Sequence, residues 1–119
     1  MFTVTNSTLD HNLVQGGGGG NGVGAGIANL LSATTTVDSS FLTNNQANGD
    51  GGGAGLGGGA YNDATSSLTL MASSVTGNHA NGQPGIGGGI YNNLGTFNVD
   101  SSTVIADNHA STSSDNVGP

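Results

Sequence analysis

Short alternations of apolar and polar residues recur along the chain, as in Leu68-Thr69-Leu70 and Phe97-Asn98-Val99. A period of two is that of a strand with one buried face. The alternations are themselves regularly spaced, and aligning them places apolar residues in six columns. These are Val23/Leu56/Ile86, Ile27/Ala60/Ile90, Leu31/Ala64/Leu94, Val4/Val37/Leu70/Val99, Leu9/Leu42/Val75/Ile105 and Val14/Ala47/Ala80/Ala110. Each column predicts an inward-facing stack. The fourth unit falls into line with a one-residue deletion after Tyr91 and a one-residue, bulge-like insertion near Val104.

A repeated phrase fixes the register: Gly24-Ala25-Gly26-Ile27-Ala28-Asn29, Gly57-Gly58-Gly59-Ala60-Tyr61-Asn62 and Gly87-Gly88-Gly89-Ile90-Tyr91-Asn92. Asn12, Asn45 and Asn78 are 33 residues apart, and Asn78 and Asn108 are 30 apart. The missing residues can be located. Ile27 to Asn45, Ala60 to Asn78 and Ile90 to Asn108 all span 18 residues, whereas Asn12 to Ile27 and Asn45 to Ala60 span 15 and Asn78 to Ile90 spans 12. The constant part is a rung, and the variable, glycine-rich part is a loop between rungs. A unit of this size cannot bury its own apolar face, so neighbouring units must stack into one continuous core.

Composition selects the kind of solenoid. With 24 glycines, no Lys or Arg and abundant Thr, Ser, Asn and Val, strong helix formers are few and strand formers many. Three short strands per unit, turned at Asn or Gly corners, predict a coil of a parallel β-helix. Neighbouring coils would lie about 4.7–4.9 Å apart. The phrase Gly-Gly-Gly-Ile-Tyr-Asn, followed by Leu-Thr-Leu and Ser-Ser-Val-Thr-Gly-Asn-His-Ala, resembles the repeat of right-handed parallel β-helix proteins of bacterial surfaces. That group includes autotransporter passengers, polymorphic outer-membrane proteins and secreted adhesins, and the likeness spans Phe2 to Ala110. The expected fold is all-β: one right-handed β-solenoid domain over residues 1–119, about 3.5 coils of 30–33 residues, with 111–119 a polar tail or partial cap. The resemblance implies an extracellular or cell-surface location.

The formal charge is −7, carried by seven Asp against no Lys or Arg. Nucleic-acid binding is excluded, since nothing can neutralise phosphate. No segment approaches the roughly 18 apolar residues of a membrane-spanning helix. The absence of Cys removes disulfides and thiol chemistry.

Candidate chemistry is sparse. Asn48-Gly49-Asp50-Gly51-Gly52-Gly53 resembles a calcium-binding β-roll, which makes Asp50 the calcium candidate. Such rolls repeat an Asp in every turn, because calcium takes six to eight oxygens. Gly17 and Gln83 stand in the aligned loops, so the carboxylate ladder is missing. The glycine runs lack the Lys and helix of a phosphate loop. His79 and His109 share a column without a third ligand for zinc, and His11 is offset by one. Lyases of the β-helix class use a basic residue with calcium, and the polygalacturonase-like branch combines clustered Asp with basic residues. Neither set exists here, and Asp38 and Asp100 are separated by Met71. The expectation is therefore no enzyme and no cofactor.

The asparagine columns Asn12/Asn45/Asn78/Asn108 and Asn29/Asn62/Asn92 predict structural ladders. Asn tolerates the left-handed corner conformation, and stacked amides can bond along the axis as they do in cross-β assemblies. Tyr61 and Tyr91 form a two-rung aromatic stack. The Thr3/Thr36/Thr69 column, broken by Asn98 and flanked by Thr5, Asp38, Met71 and Asp100, is too irregular for the flat Thr face of an ice-binding solenoid. At the start of the chain Phe2, Val4 and Leu9 enter directly as strand, forming a stacking end. The expected function is a non-enzymatic, extracellular structural or adhesive module whose partner is a second copy, stacked head to tail into filaments. The alternatives are a carbohydrate-binding module with a surface-glycan partner, an ice-binding β-helix, a calcium-binding β-roll and a fragment of a polysaccharide-degrading β-helix enzyme.

Overall fold

A computed structural model describes residues 1–119 as strands and turns without helix. The first coil carries β1 (Phe2–Thr5), β2 (Thr8–Asp10), β3 (Leu13–Gln15), β4 (Gly22–Val23) and β5 (Ile27–Asn29). The second carries β6 (Thr34–Asp38), β7 (Phe41–Thr43), β8 (Gln46–Asn48), β9 (Gly55–Leu56) and β10 (Ala60–Asn62). The third carries β11 (Ser67–Met71), β12 (Ser74–Thr76), β13 (His79–Asn81), β14 (Gly85–Ile86) and β15 (Ile90–Asn92). The fourth carries β16 (Thr96–Val99), β17 (Val104–Ala106), β18 (His109–Ala110) and β19 (Val117–Gly118). A complete coil thus has five short strands where three were expected, because more corners interrupt the chain than Asn and Gly alone announce.

Strands at corresponding positions pair in parallel, giving sheets β1-β6-β11-β16, β2-β7-β12-β17, β3-β8-β13-β18, β4-β9-β14 and β5-β10-β15-β19. The result is a parallel β-solenoid of about three turns. Its register reproduces the sequence columns: Val4 faces Val37, Leu70 faces Val37 and Val99, and Ala60 faces Ile27 and Ile90. The two irregularities of the fourth unit are also present. Asn62 pairs Asn92 and Ser67 pairs Thr96, one residue fewer; Leu70 pairs Val99 and Ser74 pairs Val104, one residue more.

Val37, Leu42, Ala47, Ala60, Leu68, Leu70, Val75, Ala80 and Ile90 are fully buried, all of them in the two middle coils. The outer coils cover less: Phe2 is 54 % and Val99 49 % exposed, while Val4 is buried and Leu9 half-buried. One predicted stack is wrong. Leu31 and Leu94 are 90 % and 83 % exposed, and Ala64 is exposed too. Leu31 and Leu94 hold left-handed conformations, with φ of 59° and 61°, which turn the corner after β5 and β15 and throw the side chains outward. Phe2/Thr35/Leu68/Phe97 supplies the inward column in their place. Val23, Leu56 and Ile86 are half-buried rather than enclosed.

The last nine residues continue the fold. Ser113 bridges Ile86, and Val117 and Gly118 pair with Ile90 and Tyr91, the positions that Ala60 and Tyr61 occupy one coil earlier. The connection into this part of the coil shortens by threes: Ala47 to Leu56 is nine residues, Ala80 to Ile86 six and Ala110 to Ser113 three.

Candidate functional site

The polar groups of this solenoid gather at its corners, and two of the corners follow one rule. A residue in the left-handed region is followed by a polar residue whose side chain bonds the coil beneath or above. At one corner Asn6, Ser39 and Ala72 have φ of 48°, 50° and 46°, and Ser7, Ser40 and Ser73 follow. At the next, His11, Asn44, Gly77 and Asp107 have φ of 54°, 55°, 67° and 54°, and Asn12, Asn45, Asn78 and Asn108 follow. None of the ladder asparagines carries the left-handed backbone expected of it: the residue before each of Asn12, Asn45, Asn78 and Asn108 does, whereas in the other ladder the left-handed residues Leu31 and Leu94 come two residues after Asn29 and Asn92. For a non-glycine residue that conformation costs on the order of 1–2 kcal/mol, which the bonds made one residue later offset.

The Asn12/Asn45/Asn78/Asn108 column is bonded along the axis. Asn12 Nδ2 donates to Asn45 Oδ1 at 2.8 Å, Asn45 Nδ2 to Asn78 Oδ1 at 3.0 Å and Asn78 Nδ2 to Asn108 Oδ1 at 2.9 Å. The same oxygens accept the backbone N–H of Asn12, Asn45 and Asn78. Each interior amide also donates to a strand carbonyl, Leu9 O for Asn45, Leu42 O for Asn78 and Val75 O for Asn108. The second ladder runs from Asn29 Nδ2 to Asn62 Oδ1 at 2.7 Å and from Asn62 Nδ2 to Asn92 Oδ1 at 2.8 Å. Thr35 Oγ1 donates to Asn29 Oδ1, which explains a hydroxyl in the apolar column. Asn45, Asn62 and Asn78 are fully buried, and every buried side-chain nitrogen and oxygen has a partner.

A third ladder is made of hydroxyls. Ser7 N–H donates to Ser40 Oγ, Ser40 N–H to Ser73 Oγ and Ser73 N–H to Thr103 Oγ1 at 3.0, 3.1 and 3.3 Å. The sequence signal for it was available: Ser7, Ser40 and Ser73 are 33 residues apart, as the asparagines are.

Three carboxylates lock exposed corners. Asp63 is held at about 2 by the Ser66 hydroxyl and by the N–H of Leu31, at 2.8 Å, one of the left-handed residues. Asp100 is held at about 2 by the hydroxyls of Thr103 and Ser102, with the N–H of left-handed Ala72 also donating to it. Asp10 is held at about 2 by His11, 2.7 Å away, then by Asn44 and Thr43.

The remaining candidates lie apart. Asp50 sits at an exposed loop tip, where its carbonyl accepts Gly53 N–H and its N–H reaches Gly20 O. No group of three His, Cys, Asp or Glu side chains converges anywhere. His79 and His109 meet edge to face at 5.9 Å on the outer surface. Tyr61 and Tyr91 stack at 5.4 Å and 6°, so each ring covers a face of the other, and Asn93 Nδ2 donates to Tyr61 Oη. Asp38 pairs in register with Met71. Thr3, Thr36, Thr69 and Asn98 share an outward column, beside a second one of Thr34, Ser67 and Thr96 that the sequence reading passed over. No helix is long and apolar enough to cross a membrane.

This architecture defines a parallel β-solenoid whose interior polar groups are committed to one another. No family model, no curated protein and no solved structure matches the chain.

Proposed function

We propose that the chain is a non-enzymatic structural or adhesive module of an extracellular or cell-surface protein. The observation that carries this reading is the commitment of the chain's buried polar side chains to ladders along the axis. Asn45, Asn62 and Asn78 spend their donors and acceptors on neighbouring coils. Asp10, Asp63 and Asp100 spend theirs on corners, with pKa values lowered to about 2. A general acid or base needs a pKa near its working pH and a partner in reach of substrate; carboxylates held this low are anions at every physiological pH. What the fold offers to its surroundings is a stiff body with neutral and acidic outer faces. The external location rests on the resemblance of the repeat to bacterial surface β-helices.

The test takes the intact chain through two assays. Incubation with acidic and neutral polysaccharides should release no new reducing ends, and beads carrying the chain should be retained on glycan-coated surfaces. Release of reducing ends would replace this reading with an enzyme. Retention equal to that of beads carrying an unfolded variant would remove the adhesive role. Antibody labelling of unpermeabilised producing cells tests the location, and labelling only after permeabilisation would refute it.

A further inference from the structure

The column Gly26/Gly59/Gly89 changes to Asn116 in the fourth coil, and the change has a steric meaning. Gly26, Gly59 and Gly89 each face the backbone of the coil stacked on them. A Cβ on Gly59 would meet Gly89 O at 2.6 Å and Val75 Cγ1 at 2.9 Å, and one on Gly89 would meet Asn116 O at 2.5 Å and Asn108 Nδ2 at 2.8 Å. A side chain fits this column only where no further coil lies above it. Asn116 has one, and it is put to use. Asn116 Oδ1 accepts Asn108 Nδ2 at 3.0 Å and the Asn108 N–H at 3.4 Å. Within the solenoid those two bonds are made by the Oδ1 of the next ladder asparagine, as Asn78 makes them with Asn108.

The neighbouring position repeats the device. Asp115 stands in the column of Gly58 and Gly88, and its Oδ1 accepts the Ala110 N–H at 2.8 Å, a donor that a following coil would otherwise take. The connection of three residues from Ala110 to Ser113 brings both side chains back over the corner they close. At the opposite end nothing corresponds: Asn12 is exposed, and its side chain donates to Asn45 while its oxygen receives no bond.

We infer that Asp115 and Asn116 form a built stop, which closes the fourth-coil end of the solenoid to a further coil delivered by a second copy of this chain. The edges of β16 and β17 stay open, so the stop acts at one corner and blocks full-register stacking there. The head-to-tail filaments expected from the sequence are therefore disfavoured, whatever task the module performs.

The test compares the parent chain, Asp115→Gly/Asn116→Gly, which restores the glycines of the earlier coils, and Asn116→Asp, which keeps an acceptor in place. Sedimentation and electron microscopy should find the parent and Asn116→Asp monomeric. The double variant should elongate end to end, and adding Thr3→Lys on the exposed, outward side of β1 at its opposite edge should return it to monomer, since a lysine there opposes strand addition. A parent chain that already elongates head to tail overturns the inference, as does a folded double variant that stays monomeric. Should the double variant not fold, Asn116→Ala is read by side-chain amide exchange of Asn108. Exchange faster by at least about tenfold supports the stop, and unchanged exchange refutes it.

Discussion

Asn78→Ala puts the amide ladder to a quantitative test. The Asn78 side chain donates to Leu42 O at 2.9 Å and to Asn108 Oδ1 at 2.9 Å, and accepts from Asn45 N–H at 2.9 Å and Asn45 Nδ2 at 3.0 Å. Alanine removes all four bonds at a site with 0 % exposure. Two partners are cushioned, because Asn108 Oδ1 keeps the Asn78 N–H and Asn45 Nδ2 keeps Leu9 O. The Asn45 N–H loses its acceptor outright, and Leu42 O loses a donor. With each buried group left unsatisfied costing about 1–3 kcal/mol, the loss should be roughly 2–6 kcal/mol. That is a large share of the roughly 5–15 kcal/mol that holds an ordinary domain folded. Asn12→Ala is the matched control: it is exposed and gives up one side-chain donor, while Asn45 Oδ1 keeps the Asn12 N–H, so about 1 kcal/mol or less is expected. Urea denaturation followed by far-ultraviolet circular dichroism measures both. A cost for Asn78→Ala within about 1 kcal/mol of the control would refute the reasoning.

Leu70→Asp, at a fully buried position between Val37 and Val99, should prevent folding, since an unpaired buried charge costs several kcal/mol; a soluble chain with parental circular dichroism would contradict the core. Gly59→Ala should destabilise strongly because its Cβ meets backbone at 2.6 Å, whereas Gly17→Ala, with open space around it and no left-handed φ, should be neutral or stabilise by up to about 1 kcal/mol; denaturation midpoints in the reverse order would refute the stacking. Deleting Gly51-Gly52-Gly53 should be tolerated, because it gives the second loop the length of the third, in which Asn81, Gly82 and Gln83 align with Asn48, Gly49 and Asp50; an unfolded product would mean that rung and loop are misassigned. The carboxyls of Asp10, Asp63 and Asp100 lie at about 2, below their ordinary 3.8. A depressed folded pKa stabilises above the unfolded value and is lost as pH falls through the folded one, so stability should decline between about pH 4 and pH 2. Asp100→Asn should flatten that decline, and an unchanged acid limb would refute the corner lock.

The columns were legible because burial and stacking act on the same residues at the same spacing. Leu70 and Val75 could sit nowhere else once the period was known. What escaped the sequence were the places where backbone conformation overrides hydrophobicity. Leu31 and Leu94 read as core, yet the corner they turn leaves no inward direction for their side chains. Thr35 belonged to no predicted stack, yet it is buried, with its hydroxyl satisfied by Asn29 inside. The ladder asparagines were found by spacing, but their conformational role was misassigned to them, because a left-handed corner takes residues as different as His11, Asn44, Gly77 and Asp107 and so leaves no compositional mark. Asn116 escaped for a related reason. Its Asp-Asn sequence carries no glycine to align, and only the pairing of Val117 with Ile90 reveals that it stands in the glycine column.

The account turns on buried amides bonded along the axis, and hydrogen exchange of the asparagine side chains measures that directly. Nuclear magnetic resonance on the intact chain should find the Nδ2 protons of Asn45, Asn62 and Asn78 protected to the degree of the backbone amides in β7 and β12, while those of the exposed Asn6 and Asn21 exchange freely. Free exchange at Asn45, Asn62 and Asn78 in a chain that still shows β-structure would contradict the ladders, and with them the reading of this solenoid as a body held together from coil to coil.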